Sequence, residues 1–198
     1  MRRIALLAAV LSGALVPCAA AAQHARGAFV MGGRGGGGTE LLDPRFSVDA
    51  GYTIEAAGRR GPYVGGRYTL GMHRLRADQQ ALRERYGDAT ITVEGGGGTL
   101  YDTGVEIEIG YGLGVVRVYG FTGMHYYQQY QEPATIHFRG GHVQLGSSRP
   151  ESISGARGYG VNLRLTRTGA VVAEHYRGGG QDGIIRISGT RFGLRWAW

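Results

Sequence analysis

The chain has 198 residues, of which 38 are glycine and one is cysteine, with 22 basic residues against 15 acidic ones and a formal charge of +7. That length fits one domain and excludes a string of modules, and the glycines lack the every-third-residue spacing of collagen, alternating instead with Val, Tyr, Ile and Leu in a way that argues against disorder. Every basic residue is Arg, so the positive charge consists of guanidinium groups suited to bidentate contact with phosphate or carboxylate.

The first predicted element is an export signal. Met1, Arg2 and Arg3 form a basic start, 4–16 is an apolar run too short to cross a bilayer, and Ala20, Ala21 and Ala22 offer small residues for cleavage. Removing 1–22 takes away two Arg and no acids, so the 23–198 domain that begins at Gln23 carries +5 and no cysteine. Disulfides then have no part in its stability. Cys18 follows Leu15-Val16-Pro17, which resembles a lipobox, but Pro17 stands where that pattern needs a small residue, and lipidation is not expected.

Beyond this segment no apolar run approaches the roughly 18 residues of a spanning helix. What recurs is period-two alternation, the mark of a strand with unlike faces. Phe46, Val48, Ala50, Tyr52, Ile54 and Ala56 share one face; Val105, Ile107, Ile109 and Tyr111 share another, opposite Glu106 and Glu108; Tyr159, Val161, Leu163 and Leu165 share a third, opposite Asn162 and Arg164. Strands are predicted over 28–33, 45–57, 62–74, 99–112, 114–128, 157–167, 169–177 and 184–198. Tight breaks at Arg59-Arg60-Gly61, Gly112-Leu113-Gly114 and Arg167-Thr168-Gly169 read as hairpin turns, whereas 34–44, 75–98, 130–156 and 177–183 read as longer loops. Short and long connections therefore alternate, as in an eight-stranded antiparallel up-and-down transmembrane barrel. Segments 90–94 and 135–145 are either hairpins projecting from the loops or additional strands, which would make ten. Residues 76–87 favour a short helix within their loop.

Alternation alone leaves the orientation open. A soluble barrel turns its apolar face inward, a membrane barrel outward. The polar faces carry Asp49, Glu55, Arg67, Glu106, Glu108, Arg117, Arg164, Arg191 and Arg195. Inside a narrow lumen such charges must pair, because an unpaired buried charge costs several kcal/mol. The expected lumen network is Glu106 and Glu108 with arginines drawn from Arg67, Arg117, Arg164 and Arg195.

The last strand favours the membrane. Phe192, Leu194, Trp196 and Trp198 fall on alternate positions, opposite Arg191, Gly193 and Arg195. An alternating apolar strand that ends in an aromatic residue resembles the signal by which bacterial outer-membrane proteins are recognised for barrel assembly, and Trp suits a membrane interface. Tyr52, Tyr68, Tyr111 and Tyr159 are candidates for the same interfacial girdles. Together with glycine-rich hairpins such as 158–165, this pattern resembles the small outer-membrane β-barrel proteins of the OmpA/OmpX-like superfamily across 23–198. The resemblance implies an outer-membrane address, outer-membrane lipid and the barrel-assembly machinery as partners, and a monomeric barrel whose lumen is filled by side chains.

Some barrels of this size are lipid A-modifying enzymes, and Glu174-His175-Tyr176 is the best foothold for that chemistry. A deacylase needs a Ser two residues past the His. Arg177 stands there, and Ser154 and Ser188 are the nearest serines, so no nucleophile is evident and catalysis is not expected. His175 and Tyr176 are expected at the outer rim. His137 and His142 could bind a metal only if a third ligand converged, and a solvated loop is the expectation. The Gly runs at 35–38 and 95–98 lack the Lys and strand-to-helix turn of a phosphate loop. No cofactor or metal is expected. Arg74, Arg76, Arg83 and Arg85 around one loop, and Arg139, Arg149 and Arg157 around another, offer contacts for lipopolysaccharide phosphates, partly offset by Asp78, Glu84 and Asp88. Nucleic acid is not an expected partner. The leading reading is a structural or surface-binding barrel; the alternatives are a narrow conduit for a small solute and a lipid A-modifying enzyme.

Overall fold

The computed structural model describes residues 24–36, 42–56, 60–182, 184 and 186–197. The export segment 1–22 with Cys18, part of the 35–38 glycine run, Arg59 and Trp198 lie outside the described residues. In chain order the elements are β1 (His24–Gly36), β2 (Leu42–Ala56), β3 (Arg60–Ala77), α1 (Gln79–Tyr86), β4 (Thr92–Gly95), β5 (Gly98–Leu113), β6 (Val116–Gln131), β7 (Ala134–Phe138), β8 (Gly141–Leu145), β9 (Glu151–Arg164), β10 (Gly169–Gly179) and β11 (Arg186–Ala197).

Eight of the strands close into an antiparallel barrel, each paired with its neighbour along the chain, and β1 closes the ring on β11 from Gly27 opposite Ala197 to Gly36 opposite Ser188. The ten-strand alternative fails because β4, β7 and β8 form a separate three-stranded sheet within the long connections. Short turns lie at the end that also holds the described chain ends. There Gly114 takes φ 90°, and Leu165 and Thr166 donate their amides to the Gly169 carbonyl at 2.9 and 3.0 Å.

The strands run further into the loop end than predicted. β1 is 13 residues rather than a brief opening strand, β3 continues to Ala77, and β9 begins at Glu151 inside the predicted 130–156 loop. Ladder hydrogen bonds belong to the backbone, so a strand persists where its side chains stop alternating. At the start of β9 Ser152 and Ser154 face inward while Glu151 faces outward, which leaves little hydrophobic pattern to read.

The connection between β3 and β5 holds α1. Asp78 caps it by accepting from the Ala81 amide at 3.0 Å, Leu82 is its buried residue, and Gly87 ends it with φ 62°. Arg83 Nε donates to the Ile91 carbonyl at 2.8 Å, tying the helix to the segment that enters β4. Nearby, the Thr90 amide and hydroxyl donate to Asp88, which holds its carboxyl below the ordinary carboxylate range.

The outward positions of the barrel strands are mostly apolar, while the inward positions hold the charged side chains together with apolar ones such as Phe29 and Leu100. On β5, Ile107 and Ile109 are 57% and 64% exposed while Glu106 and Glu108 are 4% and 1% exposed. On β11, Phe192, Leu194 and Trp196 face out, and Arg191 and Arg195 are buried inside. Tyr52, Tyr68, Tyr111 and Tyr159 also stand on the outer surface, with Tyr52 directly opposite Tyr68. From Tyr101 to Tyr111, which bracket the apolar stretch of β5, a rise of about 3.3 Å per residue at a tilt of about 40° spans about 25 Å, the height of the apolar band of an outer-membrane barrel.

Candidate functional site: the charged lumen

The closed ring places each strand four positions from the one diametrically across the lumen, and three side-chain bridges span that diameter. Nearest the turn end, Arg195 on β11 donates to both carboxylate oxygens of Glu108 on β5 at 3.1 and 3.2 Å. At mid-height Arg67 on β3 reaches Glu174 on β10 at 2.5 Å. Toward the loops, Tyr176 on β10 meets His73 on β3 at 3.2 Å.

Further contacts tie these bridges together. Arg67 also pairs with Glu106 and lies 3.8 Å from Glu108. Glu174 accepts from Tyr119 at 2.6 Å and from Arg191 at 2.9 and 3.0 Å, and Arg191 holds Asp49 at 2.9 Å. Tyr63 donates to Glu108 at 2.7 Å. Aromatic faces complete the packing, with the Arg67 guanidinium 3.8 Å from the Phe121 ring centre and that of Arg191 4.6 Å from Tyr176. Around the charges sit Phe29, Met31, Leu100, Tyr127, Val172 and Ile187, all buried.

At the loop end the polar chemistry shifts to histidine. Asp102 is held between His73 at 2.9 Å and His125 at 2.6 Å, and the other ring nitrogen of His125 lies 3.1 Å from Glu106. Both ring nitrogens of His125 thus face carboxylate oxygens. Asp49, His73 and Asp102 have ligand atoms within 4.8 Å of one another. Arg191 at Asp49 already supplies a positive charge to that corner.

Of the residues singled out in the sequence, Arg67, Glu106, Glu108 and Arg195 meet in the lumen. Arg117 is buried but lies over the Tyr63 ring at 4.9 Å. Arg164 occupies the inward register at the turn end of β9 and is half-buried. Sequence reasoning missed Glu174 and left Asp49 and Arg191 out of the network. It read Glu174 beside His175 as possible catalytic chemistry, but on a strand adjacent residues point to opposite faces. Glu174 and Tyr176 are inside, whereas His175 is outside against the Tyr159 ring, 5.4 Å between centres. Tyr176 therefore does not share the outer rim with His175. The missed signal was parity with Val172, Tyr176 and Gly178 on the inward face of β10.

Outside the lumen, Arg74 and Arg76 project outward near the loop end of β3, Arg85 lies over Tyr86, Arg149 lies over Tyr130, and Arg139 and Arg157 are exposed. His137 and His142 stand directly opposite each other on β7 and β8.

No known protein-family profile matches the chain, and no curated protein matches it in sequence. Solved structures do. A major outer membrane protein from Thermus thermophilus superposes with a TM-score of 0.57 at 12% identity, covering 89% of this chain and 100% of that one. The chain has the fold of the small bacterial outer-membrane barrels. The N-terminal β-barrel domain of Pseudomonas aeruginosa OprF is similar too, with a TM-score of 0.52 at 12% identity over 90% of this chain and 100% of the other. In the outer-membrane barrel fold an apolar exterior around a polar interior is the arrangement that lipid requires, and here both sides of that inversion are explicit in β5 and β11.

Proposed function

We propose that the protein is an outer-membrane barrel with a structural and surface-binding role, a cylinder closed by its own side chains that displays α1 and the β4-β7-β8 sheet outside the cell. The observation that carries this reading is the inversion of faces: a continuous apolar exterior around buried, mutually paired charge. In water that exterior would drive aggregation, and in hydrocarbon it is the stable surface. An eight-stranded barrel has an interior only wide enough for side chains, and the three diametric bridges occupy it, which argues against the conduit. Arg177 stands where a lipid A deacylase pattern wants its serine, which argues against the enzymatic alternative. Cell fractionation with heat-dependent gel mobility tests the assignment. The protein is expected in the outer-membrane fraction and to migrate differently before and after boiling. Recovery from the soluble periplasm with boiling-insensitive mobility refutes it.

Phosphorylated lipid of the outer leaflet is the partner this surface suits. A mostly apolar groove of about 410 Å³ on the outer wall is lined by Val48, Leu70, Met72 and Tyr101, with Thr103 and Gln128 among its polar members. One step toward the loops, Arg74 donates to Thr99 at 3.3 Å and Arg149 covers Tyr130, while Glu151 accepts from Tyr126 at the far edge. An acyl chain fits the groove and a phosphate fits the guanidinium groups above it. Native mass spectrometry after exchange into defined lipid mixtures is expected to show retained phosphorylated lipid, reduced by Arg74→Glu with Arg149→Glu. Equal retention of zwitterionic lipid by both proteins refutes this partner.

A further inference from the structure

The three-stranded sheet has unlike faces. Val93, Ile136 and Val143 form a cross-strand row on one side. On the other side Thr92, His137 and His142 form a row, and the next row is Glu94, Thr135 and Gln144. Directly opposed residues of antiparallel strands point the same way, as do residues two apart on one strand. Glu94, His137 and His142 therefore stand on a single face, one on each of three adjacent strands.

The third donor sought for the histidine pair thus comes from β4, some forty residues earlier in the chain, where sequence spacing gives no hint of it. The imidazole rings of His137 and His142 have centres 5.9 Å apart, and Glu94 Oε2 lies 3.6 Å from His137 Nε2. That nitrogen is shut off from water and has no hydrogen-bond partner, although the residue itself lies at the surface. A ring nitrogen so shielded, beside a carboxylate oxygen that stops short of bonding distance, lacks the partner that buried polar groups ordinarily have.

We propose that Glu94, His137 and His142 form a surface site for a divalent transition-metal cation, with two imidazole nitrogens and one carboxylate as ligands and water completing the shell. With metal–nitrogen bonds of about 2 Å, two imidazoles on one tetrahedral ion stand about 5 Å apart between ring centres, so the rings must close by about 1 Å and the Glu94 and His142 side chains must rotate inward for the three donors to converge. His142 and Glu94 are exposed and free to turn their side chains, while the sheet fixes all three backbones. Imidazole with carboxylate suits zinc, copper or nickel over calcium or magnesium, which prefer all-oxygen shells. The charge on Glu94 offsets that of the ion, and the nearest basic group along the hairpin, Arg139, lies at its tip, where its amide faces Asp88. The site is independent of the lipid-facing wall, so its failure and that of the membrane reading are separable.

The test uses the full chain, refolded in detergent, without a polyhistidine tag, and confirmed as folded by heat-dependent gel mobility. Zinc binding is measured by calorimetry, and copper(II) by electron paramagnetic resonance, which reports coordinated nitrogens. One saturable site with two nitrogen donors is expected. His137→Gln and His142→Gln should each reduce the count to one nitrogen and weaken zinc binding by about tenfold or more, and Glu94→Gln should weaken it without altering the nitrogen count. The proposal is overturned if a variant carrying Glu94→Gln, His137→Gln and His142→Gln together binds as the parent does, if the nitrogen count survives both histidine substitutions, or if the parent shows no saturable binding at millimolar metal.

Discussion

Replacing Glu174 by Gln keeps the size of the side chain and removes its charge at the centre of the lumen. The carboxylate accepts five hydrogen bonds, two from Arg67, two from Arg191 and one from Tyr119. A Gln amide retains one acceptor oxygen, and arginine N–H groups, which cannot accept, face both carboxylate oxygens, so its NH₂ meets at least one of them whichever way it turns and part of this set must break. Removing one partner of a buried ion pair costs about 3–5 kcal/mol. Here Arg67 keeps Glu106, and Arg191 keeps Asp49 at 2.9 Å, so neither guanidinium is left wholly uncompensated and the lower bound, about 3 kcal/mol, applies. With a urea dependence of about 2 kcal/mol per molar, the unfolding midpoint falls by about 1.5 M. The assay is equilibrium refolding into lipid vesicles across a urea series, read by the fraction of heat-modifiable protein. A second measurement checks the cause: Tyr119→Phe should destabilise the parent, and should do so much less in the Glu174→Gln background, because the two share one hydrogen bond. A midpoint within about 0.3 M of the parent would show that the mid-lumen bridge contributes little, and the reasoning would fail.

Three other perturbations probe different parts of the molecule. Ile107→Arg places a guanidinium in the middle of the outer apolar band and should cost about 2–4 kcal/mol of folding in vesicles; parent-like insertion would contradict the assignment of that face to lipid. Gly160→Val puts a side chain where a Cβ would stand 2.7 Å from Tyr119 Cζ and 2.8 Å from Glu174 Cγ, so overpacking should cost about 1–3 kcal/mol, and an unchanged urea midpoint would argue that the lumen has room to spare. Asp78→Ala removes the cap of α1 and should cost that helix about 1 kcal/mol, seen as faster amide exchange over its first turns with barrel protection unchanged; parent-like exchange in α1 would show that tertiary contacts hold the helix instead.

The barrel was readable from the sequence because period-two alternation and glycine-punctuated turns are local signals. Ile107 against Glu108, or Leu194 against Arg195, states the two faces outright, and the alternating, aromatic last strand already pointed to the apolar side as the outer one. The extended strand ends were hidden where both faces turn polar, as at Ser152 and Ser154. Pairing inside the lumen was less readable. Which carboxylate meets which guanidinium depends on strand order and shear, so Glu108 with Arg195 joins residues 87 apart in sequence. Glu174 was obscured by a plausible local triplet whose members the strand sends to opposite sides. The histidine pair was visible across its hairpin, but Glu94 reaches it only through the pairing of β4 with β7.

The lumen bridges also constrain how the protein can assemble. Their partners are separated by 87, 103 and 107 residues, and in each case one of them comes from β10 or β11. A nascent chain that has reached only β9 therefore keeps the local partners of Arg67, Glu108 and His73 but lacks those across the lumen, and its open sheet edges leave backbone groups unpaired in hydrocarbon. Insertion should accordingly be all-or-none, committed when the last two staves arrive, and a chain lacking them should be cleared by proteases instead of persisting as a partial ring.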